Sequence, residues 1–462
     1  MIADVDAAKL IWPELVGGRV RLRRLSADDS VLFLNQSDIA LHGHGRLIRS
    51  RPGAGDWACR PLLIPSGGRR GLCLILPFNL ASQLACQRAV VRVFSAEMPR
   101  QPFETVAAVD RGGVRRLVAN GLRAISWMRG NPYLHISYCP SRRTPGCGFR
   151  VDVDSWSGDS LAKTAEMAKA RAMRFTWFVT TGAVPDPRSL AELLDGQDIQ
   201  LHCHLHRVFR DEESNRLNME RGRELLLKLG IRVCGVAAPY GEWTYHLSRV
   251  FDAMRFGYSS EFCFAYDDIP GRPMVPTGEV SVLQIPVHPI SIGRLIWAKA
   301  TPAQMVSYFK TVVDTQVARF EPCFLYDHPD QVARFSEVVT EVLDYALSKC
   351  GGELNITDYA DWWRRRSCVR LKAVANRESI SVRLHTDADD DFSLTAEWPD
   401  RYANIVLRSG NFAHGSLEWK SRPEPVKAVC PQKVGTANTL LLGLRAFDRR
   451  VRKGIQTRRM RL

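Results

Sequence analysis

From about residue 145 to residue 366 the chain alternates short apolar runs with longer stretches of helical periodicity. No other feature of the sequence limits the fold as strongly. The apolar runs lie at 149–153, 175–180, 199–201, 233–237, 283–287 and 324–326, each the length of one strand. Between them, 212–229 carries Leu217, Leu225, Leu226 and Leu229 as an apolar stripe, 302–320 has Pro302 near its start, and 331–349 is a third helical pattern. Repeated strand–helix units of this length predict an α/β domain with a parallel sheet, a barrel or a barrel-like sheet. Gly230, Gly257 and Gly351 stand where helix C-caps are expected, since glycine takes the left-handed conformation without a Cβ penalty.

The flanks read differently. A chain of 462 residues has room for two or three units. We divide it into a mixed α/β accessory domain over 1–144, the α/β domain over 145–366, a small β-rich domain over 367–440 and a basic tail over 441–462. The first zone has apparent strands at 19–25 and 89–94 and a glycine-rich loop around 66–70. Its His42 and His44 form an HxH in a Gly-flanked loop, with no carboxylate or cysteine placed beside them, and read as a surface loop. After residue 367, period-two segments separated by Asp-rich and Gly-rich turns predict a small β unit.

Hydrophobic residues make up 45% and charged residues 24%, ordinary for a globular protein and against wholesale disorder. The 12 cysteines are scattered without a CxxC pair, which suits reduced thiols in the cytosol. The first residues lack a basic segment followed by an apolar one, so no secretory signal is expected. The apolar stretch at 72–86 is interrupted by Pro77 and Asn79 and is short for a bilayer span. The expected location is cytoplasmic or peripheral to a membrane. The net charge of +15 invites an anionic partner. The basic tail offers an amphipathic helix for an anionic membrane surface. With no aromatic stacking pattern or recognised binding motif, nucleic acid is not an expected partner.

Two segments carry chemistry. In GFRVDVDSWSGDS, Asp152 and Asp154 are two apart at the end of an apolar run. In a strand they project to one face, at the C-terminal end where β/α barrels place their active sites. Two carboxylates so close are costly to ionise together unless a cation lies between them, which suggests one metal ligand and one base. In DIQLHCHLHRVF, His202 and His206 are four apart and can grip one cation from one face of a helical turn, while His204 offers an HxH pairing if the segment stays extended. Asp154, His202 and His206 make a mixed oxygen and nitrogen set that suits a divalent metal, Zn²⁺ first, with Co²⁺, Ni²⁺ or Mn²⁺ as alternatives. Asp152 is then the carboxylate left to take a proton from water.

These residues resemble the NodB-homology polysaccharide deacetylases, carbohydrate esterase family 4. That family carries a Thr-Phe-Asp-Asp motif and a His-Ser/Thr-x-x-His motif, matched here by Asp152, Asp154, His202 and His206. A close variant, the deformylase of the aminoarabinose lipid A pathway, similarly carries an Asp-Val-Asp-Thr segment. MRFTWFVTTG is similar to the family's second strand, and 356–366 to the closing helix of several such domains. The third motif, Arg-x-Pro-Tyr, reads AAPYGEW here, with Ala237 where the arginine that steadies the base would stand. The fourth reads YSSEF and lacks its Asp and Trp.

The resemblance implies a NodB-like (β/α) barrel, seven-stranded and distorted, between the N-terminal mixed domain and the small C-terminal β unit. It implies Asp152 as base, Asp154, His202 and His206 as metal ligands, and the Tyr240 backbone N–H as donor to the developing oxyanion. His328 is the preferred general acid. His288 is the alternative, or lines the substrate groove with Pro239 and Trp243. The expected activity is metal-dependent removal of an N-acyl group, N-acetyl foremost, from an amino sugar in a polysaccharide or glycolipid. The other readings are a degenerate carbohydrate-binding member and a membrane-surface protein acting through its basic tail.

Overall fold

The computed structural model describes residues 84–424 except 95, 141–144, 276–277, 377 and 387–390, together with 429, 431–433 and strand segments at 30–31, 34–35, 58–59, 62–66 and 71–75. The strand expected at 19–25, the His42/His44 loop, the glycine-rich loop at 67–70 and the basic tail lie outside the described residues.

Seven parallel strands form the central sheet. In chain order they are β1 Cys147–Val153, β2 Thr176–Thr180, β3 Asp198–Cys203, β4 Gly235–Val236, β5 Tyr258–Ser259, β6 Leu283–Gln284 and β7 Cys323–Asp327. The spatial order is β6-β5-β4-β3-β2-β1-β7, parallel at every pairing. The two outer strands do not pair with each other, but His288 N–H donates to Phe324 O at 2.8 Å and ties one edge to the other. This is a distorted, open (β/α) barrel of seven strands. Every residue of β1, β2 and β7 is buried, as expected where helices cover one face and the barrel interior fills the other. Sequence periodicity did not reveal β5, whose two residues are too few to carry a pattern.

The helices form largely where expected, with local reasons visible. Helix Glu212–Lys228 starts at Asp211, whose side chain accepts from Ser214 N–H, and is followed by Gly230 at φ +78°. Helix Pro302–Arg319 starts with a reciprocal capping box between Thr301 and Gln304. Two expectations need correction. The third helical pattern is broken at Phe335 (φ −113°, ψ 39°) into Pro329–Arg334 and Ser336–Lys349. Gly257 and Gly351 are not left-handed caps, since Arg255 at φ +58° and Gly352 at φ +144° take positive φ near those ends instead.

The flanking zones pair with each other and brace the barrel. Strand Tyr133–Ile136 runs antiparallel to Ser393–Glu397, and Pro431–Lys433 to Ala89–Phe94. Helix Arg111–Met128 docks through Arg115 and Arg116, both paired to the buried Glu321, with Arg115 also on Asp268 at 2.7 Å. Among the described residues, no helix is long and apolar enough to cross a membrane.

Candidate metal centre and active site

The site lies at the C-terminal edge of the sheet, where β1, β3, β4 and β7 end together. Alternation along β1 puts Arg150, Asp152 and Asp154 in one row on one face. Asp154 Oδ1 lies 3.3 Å from His202 Nε2 and 3.0 Å from His206 Nε2, and the two Nε2 atoms are 3.2 Å apart. His202 is 1% exposed, and its Nδ1–H donates to Ala237 O at 2.6 Å. That bond fixes the tautomer and leaves an Nε2 lone pair facing Asp154.

The donor set fits a divalent cation. Asp154 Oδ1 is buried and accepts no hydrogen bond among the described residues, although two imidazole nitrogens face it. One oxygen and two nitrogens converging on one point, with every pairwise distance below 4.8 Å, is an arrangement that a shared cation satisfies and direct hydrogen bonds do not. Burial raises the Asp154 carboxyl, but the neighbouring imidazoles of His202, His206 and His328 outweigh burial and hold the group well below the usual carboxylate range.

The two histidines do not share a helical turn. His202 is the next-to-last residue of β3, which ends at Cys203, and residues 204–206 form a bend. The bend is locked by helix Glu212–Lys228: Asn218 accepts from Leu205 N–H at 2.7 Å and donates to Leu205 O and Arg207 O, while Asn215 braces Phe209. His204 turns away to Thr181 Oγ1 at 3.1 Å. Beside it, a Cβ at Gly182 would lie 2.5 Å from His204 O, so only glycine allows the bend to approach.

Asp152 is 5% exposed and held by Arg150, whose Nε and Nη2 reach its two oxygens at 2.6 and 2.7 Å. His328 follows β7. Its Nε2 is 3.4 Å from Asp154 Oδ2 and its Nδ1 is 3.7 Å from Asp327 Oδ1. Burial lowers its pKa, but these carboxylates outweigh burial and raise it well above the ordinary histidine value. Asp327 is itself fixed by the backbone N–H groups of His328 and Ile292 at 2.9 and 2.7 Å. Pro239 and Tyr240 sit in the turn after β4. Tyr240 holds φ +63°, a strained value for a non-glycine residue, and its ring lies 4.8 Å from that of His206. Glu261 of YSSEF is fully buried, and its Oε1 accepts Ala238 N–H at 2.9 Å just before this turn.

Asp152, Asp154, His202, Tyr240 and His328 line one cavity of about 440 Å³, in the range of a small-ligand site. Four expected residues are not among those lining it: His206, whose Nε2 still reaches Asp154, Pro239 in the turn beside Tyr240, His288 and Trp243. His288 is 2% exposed, with Nδ1 on Asp267 at 3.0 Å and Nε2 3.1 Å from the Tyr308 hydroxyl. Trp243 is buried against Phe264. Residues that motif reading missed also line the cavity. Glu104, from strand Phe103–Ala107, pairs with Arg294 at 2.5 and 2.8 Å. Nothing in the local sequence marks Glu104, whereas Arg150 was visible as the first member of the R-x-D-x-D alternation.

No family model matches the chain, and no curated protein matches it. Among solved structures it is similar to a Mycobacterium smegmatis protein described as a polysaccharide deacetylase, at 17% identity and TM-score 0.43 over 49% of this chain and 93% of that one. It is also similar to a carbohydrate esterase of family 4 from Streptomyces lividans in complex with acetate, at 12% identity and TM-score 0.32 over 46% and 91%. A third similarity is to a CE4 family pseudoenzyme from Bacillus anthracis, at 15% identity and TM-score 0.35 over 47% and 66%.

Proposed function

We propose that this chain is a metal-dependent hydrolase that removes an N-acyl group, most simply N-acetyl, from an amino sugar of a polysaccharide or glycolipid. The observation that carries the reading is the convergence of Asp154, His202 and His206 on one point, with Asp152 and His328 beside it in the same cavity. A divalent cation held there, Zn²⁺ first, supplies Lewis acidity toward the amide carbonyl and acidifies water. Asp152, fixed by Arg150, accepts the proton of the attacking water. The Tyr240 turn brings a backbone donor to the rim where negative charge develops on the carbonyl oxygen. His328, placed between Asp154 and Asp327, gives a proton to the departing amine nitrogen. The products are a free amino sugar and a carboxylate.

The test is metal analysis together with acetate release from N-acetylglucosamine oligomers. The expected result is one transition metal per chain in the wild type, with metal and turnover both lost in His202→Ala. A wild type without stoichiometric metal, or a variant that keeps it, defeats the reading.

A further inference from the structure

We propose that Arg150 is the positioning residue of the base carboxylate, doing from inside the first strand what the third motif's arginine would do from position 237. The proposal rests on the deacylase reading above. Residue 237 is a buried alanine whose main chain is committed to β3 and His202: its N–H donates to Leu201 O and its carbonyl accepts from His202 Nδ1. Position 237 therefore supplies no cation. Arg150 lies two residues before Asp152 on the same strand, so the pleat places it one layer deeper on the same face. It is 0% exposed and meets both carboxylate oxygens through Nε and Nη2.

A bidentate guanidinium fixes the plane of a carboxylate as well as its position, which one ammonium contact does not. Each carboxylate oxygen has a second lone pair, so Asp152 can still accept a proton from water. Arg150 is itself immobilised. Its Nη1 donates to Ser260 O at 2.5 Å and Ser260 Oγ at 3.0 Å, and Ser260 Oγ donates onward to Ile285 O at 2.7 Å. The rings of Phe178, registered opposite Asp152, and Tyr326, registered opposite Arg150, lie 4.9 and 5.5 Å from its guanidinium carbon. Arg150 also faces Glu261, which accepts the N–H of Ala238 ahead of the Tyr240 turn. One buried cation thus braces the base and neighbours the anchor of the oxyanion turn, and the chain has moved the missing motif charge rather than lost it.

The experiment compares wild type, Arg150→Met and Arg150→Lys for metal content, KM and kcat on N-acetylglucosamine oligomers. We expect Arg150→Met to keep its metal and its KM while kcat falls about 10²-fold, the loss typical of a misplaced reacting group. Arg150→Lys, which keeps the charge but not the fork, should fall between the two. A kcat within twofold of wild type in a folded, metal-loaded Arg150→Met overturns the proposal. So does a loss shared equally by metal content, KM and kcat, which is what a merely structural residue would give. If Arg150→Met does not fold, Arg150→Lys decides: wild-type kcat there overturns it. A wild type that binds metal but leaves the sugar acylated defeats the deacylase reading first, before any variant is compared.

Discussion

His328 and His288 both lie in segments that follow barrel strands, yet their neighbours give them different work. His328 is partly open to the cavity and hangs between two carboxylates, one of them a candidate metal ligand. His288 has both nitrogens occupied by Asp267 and Tyr308 and is closed off from the cavity. His328→Gln is expected to cost 10²-fold or more in kcat, roughly the value of a general acid, with little change in melting temperature. His288→Gln should instead leave kcat near wild type and destabilise the fold by about 1–3 kcal/mol, because it leaves Asp267 short of a buried partner. Steady-state kinetics and thermal melts of the two variants decide it; the opposite pattern would exchange their roles. At this scale the sequence was most informative where geometry is local. The D-x-D pair needs only the two-residue period of a strand. The arginine was sought at 237 because a motif is read position by position, and the pleat beneath Asp152 is not part of that comparison.

Among the elements, helix Glu212–Lys228 teaches most about what periodicity misses. The leucine stripe predicts a face containing Leu217, but Leu217 is 53% exposed. The buried face carries Asn215, Asn218, Met219, Gly222 and Leu226, a regular three-and-four spacing of residues that hydropathy alone does not mark. The asparagines are buried because they satisfy the backbone of the histidine bend, a demand set by the loop and not by the core. Helix Arg111–Met128 is held by charge in a comparable way. Burial raises the Glu321 carboxyl, but Arg115 and Arg116 outweigh it and bring its pKa down to about 2, from 4.5. A depressed carboxylate stabilises the fold above its unfolded pKa, and that stabilisation is lost as pH falls from about 4.5 toward 2. The shift corresponds to roughly 3 kcal/mol. Glu321→Gln should therefore lower the melting temperature at pH 7 and flatten its decline between pH 5 and pH 2. A wild-type acid limb in the variant would mean that other carboxylates govern acid unfolding.

At the scale of the whole molecule, the N-terminal flank contributes to the cavity. Glu104 belongs to the N-terminal zone, Arg294 to the barrel, and their ion pair lines the cavity alongside Asp154 and His202. A neutral donor–acceptor pair of this kind suits sugar hydroxyls better than a net anion. Glu104→Gln is expected to raise KM for an acetylated oligomer several-fold with kcat within twofold and metal content unchanged, the pattern of lost ground-state binding. An unchanged KM would confine the pair to holding the two zones together. What the sequence by itself determined was whatever short-range covalent geometry dictates: the parallel α/β architecture, the row on β1 and most helix starts, together with the residue types of a candidate metal set. What only the tertiary structure decided was which distant segments meet. The sheet order β6-β5-β4-β3-β2-β1-β7 sets β1 between β2 and β7, with β3 the next strand beyond β2, so Asp154, His202 and His328 arrive at one edge. The same packing closes His288 away and carries Glu104 in. The physical reason is that strand and helix periods act over a few residues, whereas a site assembled from residues 104 to 331 depends on nonlocal packing that no local pattern encodes.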